Sequence, residues 1–259
     1  MANTVFANSV IEAKAKDLLT TAVNARSMMT VDTSLTGAAG MKKVINTYTY
    51  SGAAEVVAEG KGNTTRGSIS HVPSEYAVLC VQQTFDYTDE DYMKDPSIVD
   101  NMLKGATQLM SNKMTADLNT ECAKATVAAP FSTAISYDAI VDGISELNLE
   151  DESKCFIRLP NAWKKDIRKD ADYKAARMGE VVYSGQMGTV SGLPVVPTKA
   201  LSAEAYVMTN EAVTLFLKKD VEVEQKRDIE TRTNTVVLRA FYICALTDAT
   251  KICKLSKGA

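Results

Sequence analysis

Apolar residues at Ile11, Ala15, Leu18, Leu19 and Ala22 recur at helical spacing, which predicts an amphipathic helix within the first two dozen residues. Its apolar stripe must pack on something. The run Thr36-Gly37-Ala38-Ala39-Gly40 breaks that pattern, and from Val44 the period drops to two: Tyr48 and Tyr50 share one face of a strand, Thr47 and Thr49 the other, with Ser51-Gly52 as a turn. The segment EVVAEGKGNTTRGSIS has one apolar patch, Val56-Val57, and then Gly60, Gly62 and Gly67 among polar and basic residues. It is a poor core sequence and predicts a long, solvent-directed, hairpin-like excursion. A compact domain seldom carries such a loop without a partner to receive it.

Alternation returns from Tyr76 to Tyr87, with Ala77, Leu79, Val81, Phe85 and Tyr87 on one face and Gln82, Thr84 and Asp86 on the other. Asp95-Pro96 follows in the arrangement that starts helices, because proline lacks only a hydrogen that would be orphaned there anyway. Val99, Leu103, Ala106, Met110, Met114 and Leu118 then keep a helical spacing to Ala123, so at 1.5 Å per residue the rod is roughly 40 Å long. Beyond Pro130 strand alternates with helix. Ser136 caps a helix through Ile140, Ile144 and Leu147, CFIRL is a short buried strand ended by Pro160, and Asn161 opens a helix holding Trp163, Ile167 and Tyr173. From Ala205 onward strands dominate. In one of them Val221, Val223 and Ile229 lie on one face and Glu222, Glu224, Lys226, Asp228 and Glu230 on the other, giving a sheet with a charged outer face.

A chain of 259 residues that is 46% apolar can fill a real core, so disorder is excluded. Its net charge of −3 comes from 29 basic and 32 acidic residues mixed along the chain, without the basic stripe of a sequence-specific nucleic-acid binder. Cys80, Cys122, Cys155, Cys244 and Cys253 are odd in number and form no Cys-x-x-Cys pair, which reads as buried thiols in a reducing compartment rather than disulfides or a zinc site. The N-terminus has no signal-peptide pattern. The longest uncharged stretch, Ala125 to Tyr137, is too short to cross a bilayer, so no membrane partner is expected.

The sequence spells out no catalytic motif. Gly188-Thr-Val-Ser-Gly192 is followed by Leu193-Pro194 rather than by the lysine of a phosphate loop, and Val195-Val196-Pro197 forces extended backbone where a dinucleotide fingerprint needs a helix. These glycines make a tight reversal that presents GLPVVP to a neighbouring sheet. The single histidine, His71, has no identifiable triad partners and reads as a surface residue. Asp89-Glu90-Asp91 lacks the glycine and downstream glutamate of a calcium loop and is explained by the dipole of the helix it enters. No catalytic residue, cofactor or metal ligand is nominated. An amphipathic arm, a polar excursion, a strut helix, a mixed domain and a charged sheet are parts of a protein built to touch copies of itself.

The order of these segments resembles the major capsid proteins of tailed double-stranded DNA bacteriophages, with their α+β Hong Kong 97 type fold. The likeness is carried by YTDEDYMKDPSIVDNMLKG leading into the long helix, CFIRLPNAWKK, GTVSGLPVV, and the ending VEVEQKRDIETRTNTVVLRAFYICALTDATKICKL. The resemblance implies an N-terminal arm (1–40), an E-loop (41–72), a peripheral domain with the spine helix (73–130) and its sheet (218–259), and an axial domain (131–217). It further implies pentamers and hexamers tiling an icosahedral shell, packaged DNA contacted non-specifically, and scaffolding, portal and head-decoration partners. The virion would be assembled in the bacterial cytoplasm.

On this reading the first helix, with Ile11 and Leu18, clasps one neighbour, and the E-loop, with Lys61 and Arg66 near its tip, lies across another. Glu222, Glu224, Lys226 and Arg227 are candidates for charged inter-subunit contacts. Because the arm begins close to Met1, scaffolding is expected from a separate protein or not at all. Lys43 and Lys61 could donate to a covalent cross-link, but no acceptor can be chosen, and none is predicted. Two alternatives remain at this stage: an encapsulin-like compartment shell holding a cargo enzyme, and a soluble α+β enzyme centred on His71 or a cysteine.

Overall fold

A computed structural model describes residues 8–21, 25–132, 134–176 and 187–258. The N-terminal periodicity folds as helix α1 (Asn8–Thr21). Its stripe packs on its own chain: Ile11 and Ala15 are buried and Leu18 is half-buried in the same cluster as the long helix α3 (Ile98–Cys122). Ala22 lies outside the described residues, as does the side chain of Leu19. Lys14 Nζ reaches Asp100 Oδ1 at 2.9 Å, pinning α1 along α3.

Helix α3 has 25 residues, about 37 Å at 1.5 Å each, and buries Val99, Leu103, Ala106, Met110, Met114, Leu118 and Cys122 along one face. Its start differs from the sequence expectation. The acidic cluster forms a short helix of its own, α2 (Asp89–Lys94), opened by a capping box in which the Asp91 amide donates to Thr88 Oγ1 (3.1 Å) and the Thr88 amide to Asp91 Oδ2 (3.3 Å). Asp95 sits at the end of α2 and accepts from the amide and hydroxyl of Ser97, so Ser97 rather than Asp95 precedes α3.

Strands β1 (Thr30–Asp32), β4 (Leu79–Thr88), β10 (Val213–Asp228) and β11 (Thr233–Leu246) form a sheet in the order β1-β10-β11-β4, antiparallel except for β1 on β10. Leu215, Leu217, Val221 and Val223 of β10, with Val236, Leu238, Ala240 and Tyr242 of β11, enter the same core as α1 and α3. Ile229 does not continue that face. It lies past the end of β10, 83% exposed, because the strand ends at Asp228 and the chain turns. The strand expected from Tyr76 to Tyr87 is divided at Val78: β3 (Ser68–Ala77) pairs with β2 (Lys42–Ser51) in a separate two-stranded ribbon, while β4 joins the sheet.

The second sheet contains β5 (Val127–Phe131), β6 (Cys155–Pro160), β7 (Thr189–Val190), β8 (Leu193–Thr198), β9 (Glu204–Thr209) and β12 (Ile252–Lys257), in the order β5-β12-β9-β6-β8-β7. Its own core includes Ile140, Ile144 and Leu147 of α4 (Tyr137–Leu147), which Ser136 caps by accepting from the Ala139 amide at 3.2 Å. The helix expected after Asn161 is broken into a turn, α5 (Lys164–Lys169) and α6 (Ala171–Ala176). Asp170 stands at the break, and its carboxylate accepts from the amides of Tyr137 (2.8 Å) and Asp172 (3.0 Å). Ser191 and Gly192, at φ 50° and 81°, make the tight reversal between β7 and β8. Both β5 and β12 lie in this second sheet although β5 up to Pro130 falls in the segment 73–130 and all of β12 in 218–259. Pairing of β12 with β5 (parallel) and with β9 (antiparallel) is a long-range event that local pattern does not encode.

Two buried side chains fasten α3 to the elements around it. Arg158 of β6, wholly buried, donates to Asn119 Oδ1 (2.5 Å) and faces Cys122 Sγ (3.4 Å) on α3. Glu121, also on α3, accepts from Tyr76 Oη (3.3 Å) at the base of the ribbon and from the Leu246 amide (3.2 Å) at the end of β11.

Candidate assembly surfaces

The β2–β3 ribbon is anchored at one end only. Ile45, Tyr76 and Val78 pack on Phe216, Ile243 and Ala245, on the side of the four-stranded sheet away from α3. Alternation along β10 and β11 is what gives the sheet this second apolar patch. Further out, the register sets Tyr48 opposite His71 and Tyr50 opposite Ile69, with the Tyr48 and His71 rings 6.1 Å apart. These side chains find no core: Tyr50 is 73% and Ile69 66% exposed, and Val44, Tyr48 and Val72 are exposed as well. An isolated two-stranded ribbon is marginal in water, and an apolar face on one is a surface that waits for cover.

Beyond the ribbon lies the loop 52–67. Lys61 and Arg66 are exposed there, in a stretch with the fully exposed Val56. Sequence reasoning passed over Glu55, which organises the loop: its carboxylate accepts from the Thr64 amide (2.8 Å), the Thr64 hydroxyl (2.8 Å) and the Thr65 amide (2.9 Å). Hydrogen bonds from the side chain of Thr65, then from the side chain and amide of Thr64, bring the Glu55 pKa down to about 2. A glutamate whose donors lie nine and ten residues further along the chain carries no local signal, so only the folded loop reveals it.

The charged strand is less available than its sequence suggests. Glu222 binds Lys219 at 2.7 Å, Glu224 binds Arg239, and Arg227 reaches Asp89 at 2.6 Å, all within the chain. Asp89 also accepts from Asn234 (2.9 Å), so the acidic cluster at the start of α2 holds the distal β10–β11 hairpin. Lys226 is exposed. Ile11, expected to face a neighbour, is 3% exposed within its own chain, and Leu18 packs beside it. The structure therefore brings Lys61 and Arg66 together on one loop and leaves the other candidates dispersed.

An open groove of about 710 Å³ is lined by Glu150, Lys154, Phe156, Asn210, Glu211 and Lys251, among others. Its Lys251 is paired with Glu211 and lies 3.7 Å from Asp248. Burial is what marks the thiols: Cys122 and Cys253 are each pushed up to about 11, and Cys244 higher still. Cys80 departs from the expectation of buried thiols, for it is exposed on β4, a strand paired on one side only.

No family model matches the chain. A curated protein, the "Major capsid protein" of Staphylococcus phage phiMR11, is 28% identical over 244 residues, covering 90% of this chain and 86% of that one. Among solved structures, that of Mycobacterium phage Che8 superposes with a TM-score of 0.67 at 14% identity, covering 87% of this chain and 88% of the other. The capsid of a native GTA particle gives 0.67 at 12% identity, covering 91% and 90%. A virus-like particle from Pyrococcus furiosus gives 0.64 at 9%, covering 96% and 98%. The strut helix, one-sided ribbon and paired sheets are thus those of the Hong Kong 97 type capsid fold. The sequence likeness over nine-tenths of the chain is to a phage major capsid protein, and together with the fold it supports the same structural class for this chain.

Proposed function

We propose that this chain forms pentamers and hexamers that close into an icosahedral head around double-stranded DNA. One observation carries the reading: the ribbon projects an apolar face, with Tyr50 and Ile69 at its outer end, that nothing in its own chain covers. A surface of that kind is stable when a second copy lies on it, and closed symmetric assembly repeats the contact around the shell. In this reading residues 1–40 act as the arm, 41–72 as the E-loop, 73–130 and 218–259 as the peripheral part and 131–217 as the axial part. Lys61 and Arg66 contact the neighbour beneath the loop, while Leu18, Glu222, Glu224, Lys226 and Arg227 contribute at other borders once their internal pairs exchange.

DNA is met non-specifically, since charges of both signs are mixed along the chain. Scaffolding, portal and decoration proteins are the further partners, and assembly takes place in the host bacterial cytoplasm. Electron microscopy and light scattering of the protein, expressed alone and with its genomic neighbours, test the proposal. Closed shells containing DNA when the packaging partners are present are expected. A monomer in both preparations overturns it, and shells filled with one enzyme would establish a cargo compartment instead.

A further inference from the structure

We propose that Glu55 is the positioning residue of the loop 52–67, a clamp that holds the tip in its docking shape before a second copy of this chain arrives. The inference rests on the reading of that loop as an inter-subunit contact. A sixteen-residue excursion of this composition has no core to order it, yet it is tied across at two levels. At the neck the Ser51 and Ser68 hydroxyls lie 2.6 Å apart, and the backbones of Gly52 and Gly67 approach so closely that a Cβ on Gly52 would sit 2.6 Å from Gly67 Cα. Gly52 is at φ 135°, a conformation open to glycine and strained for other residues.

Further out, the single carboxylate of Glu55 bridges the limbs by taking both amides and one hydroxyl of Thr64-Thr65. Charge-assisted bonds of this kind are the strong ones among surface hydrogen bonds. Beyond the second tie, at the tip, the Lys61 amide donates to Ala58 O at 3.0 Å in a tight turn with Gly60 at φ 75°. The consequence is presentation. Val56 follows Glu55 directly and is fully exposed, and Arg66 follows Thr65, so the clamp fixes an apolar side chain and a cation on opposite limbs. A loop already in its bound shape loses less freedom on docking, and its apparent affinity is not divided by a small competent fraction.

The test uses the full chain as Glu55→Ala, Glu55→Gln, Thr64→Val and the double variant Glu55→Ala/Thr64→Val. Hydrogen exchange of the Thr64 and Thr65 amides is followed in unassembled subunits, alongside the thermal midpoint and the concentration at which shells form. In the parent protein those two amides are protected. Glu55→Ala removes the protection, leaves the thermal midpoint where it was, and raises the threshold for shell formation about tenfold, as expected if the competent fraction falls to about a tenth. Glu55→Gln falls between, and the double variant adds little to Glu55→Ala because both changes break one unit. Unprotected amides in the parent, an unchanged threshold in Glu55→Ala, or full additivity in the double variant overturns the clamp. Failure of the parent to form shells overturns the capsid reading instead, and the amide protection still decides whether the clamp exists.

Discussion

Arg158 is a cation in a strand where every residue is buried, and its neighbours on α3 are neutral: an asparagine oxygen and a thiol. Burial pushes its pKa down, opposed by Cys122. Truncating it leaves a cavity and an Asn119 oxygen without its donor, so Arg158→Ala should cost about 3 kcal/mol in urea denaturation of the subunit. Arg158→Met refills most of the volume with no charge to desolvate, and should recover more than half of that loss. The thiols offer a second residue-scale check. At pH 8 a thiol with a pKa of about 11 is ionised to roughly one part in a thousand, and Cys122 and Cys253 are in that position while Cys244 and Cys155 are also raised by burial. An aromatic disulfide reagent should therefore titrate one thiol per native subunit, the exposed Cys80, and all five once the chain is unfolded.

Among the elements, α4 shows how close its packing is. A Cβ on Gly143 would lie 2.6 Å from Leu255 Cδ2, 3.4 Å from its Cγ and 3.6 Å from Val207 Cγ2, and Leu255 is wholly buried in β12. Alanine is a better helix former than glycine by about 1 kcal/mol, whereas overpacking a core costs roughly 1–3 kcal/mol, so the clash wins. Gly143→Ala should lower stability by about 1 kcal/mol and Gly143→Val by more, read from the denaturation midpoint. Sequence patterning anticipated α1, α3, α4 and β6 well, because each buries one face or all of itself and the required periodicity is written locally. It misplaced the start of α3 and joined β3 to β4. In both cases competing local geometry decided, namely a capping box at Thr88 and a change of pairing partner at Val78.

For the molecule as a whole, the contrast is between apolar surface spent inside the chain and apolar surface held back. Two cores and a small third cluster consume the helices and the facing sides of both sheets. Tyr50 and Ile69 remain outside all three, paired across the ribbon more than half exposed. Tyr50→Glu combined with Ile69→Glu should leave circular dichroism and the thermal midpoint of the isolated subunit unchanged, since exposed positions contribute little to monomer stability. The same pair should abolish shells, as seen by sedimentation, because two like charges would have to be buried against a neighbour. Intact shells from that variant would mean that the ribbon's outer face stays in solvent.

Periodicity set most of the helices and strands, motif spacing spelled out no phosphate loop or metal cluster, and composition marked the stretch around residues 55–70 as one that cannot make a core. The segment order carried the likeness to capsid proteins. Tertiary structure decided where those segments meet: that the stripe of α1 is used within its own chain, that β5 and β12 close the second sheet, and that most of the charges of β10 are already paired. It also decided that Glu55 grips Thr64 and Thr65 across the loop. The reason is the same in each case. Burial of a face is encoded at spacings of two to four residues, whereas a partner across a sheet, a bridge or a loop is chosen by geometry among groups far apart in the chain, and any of several chemically equivalent residues could have filled the place.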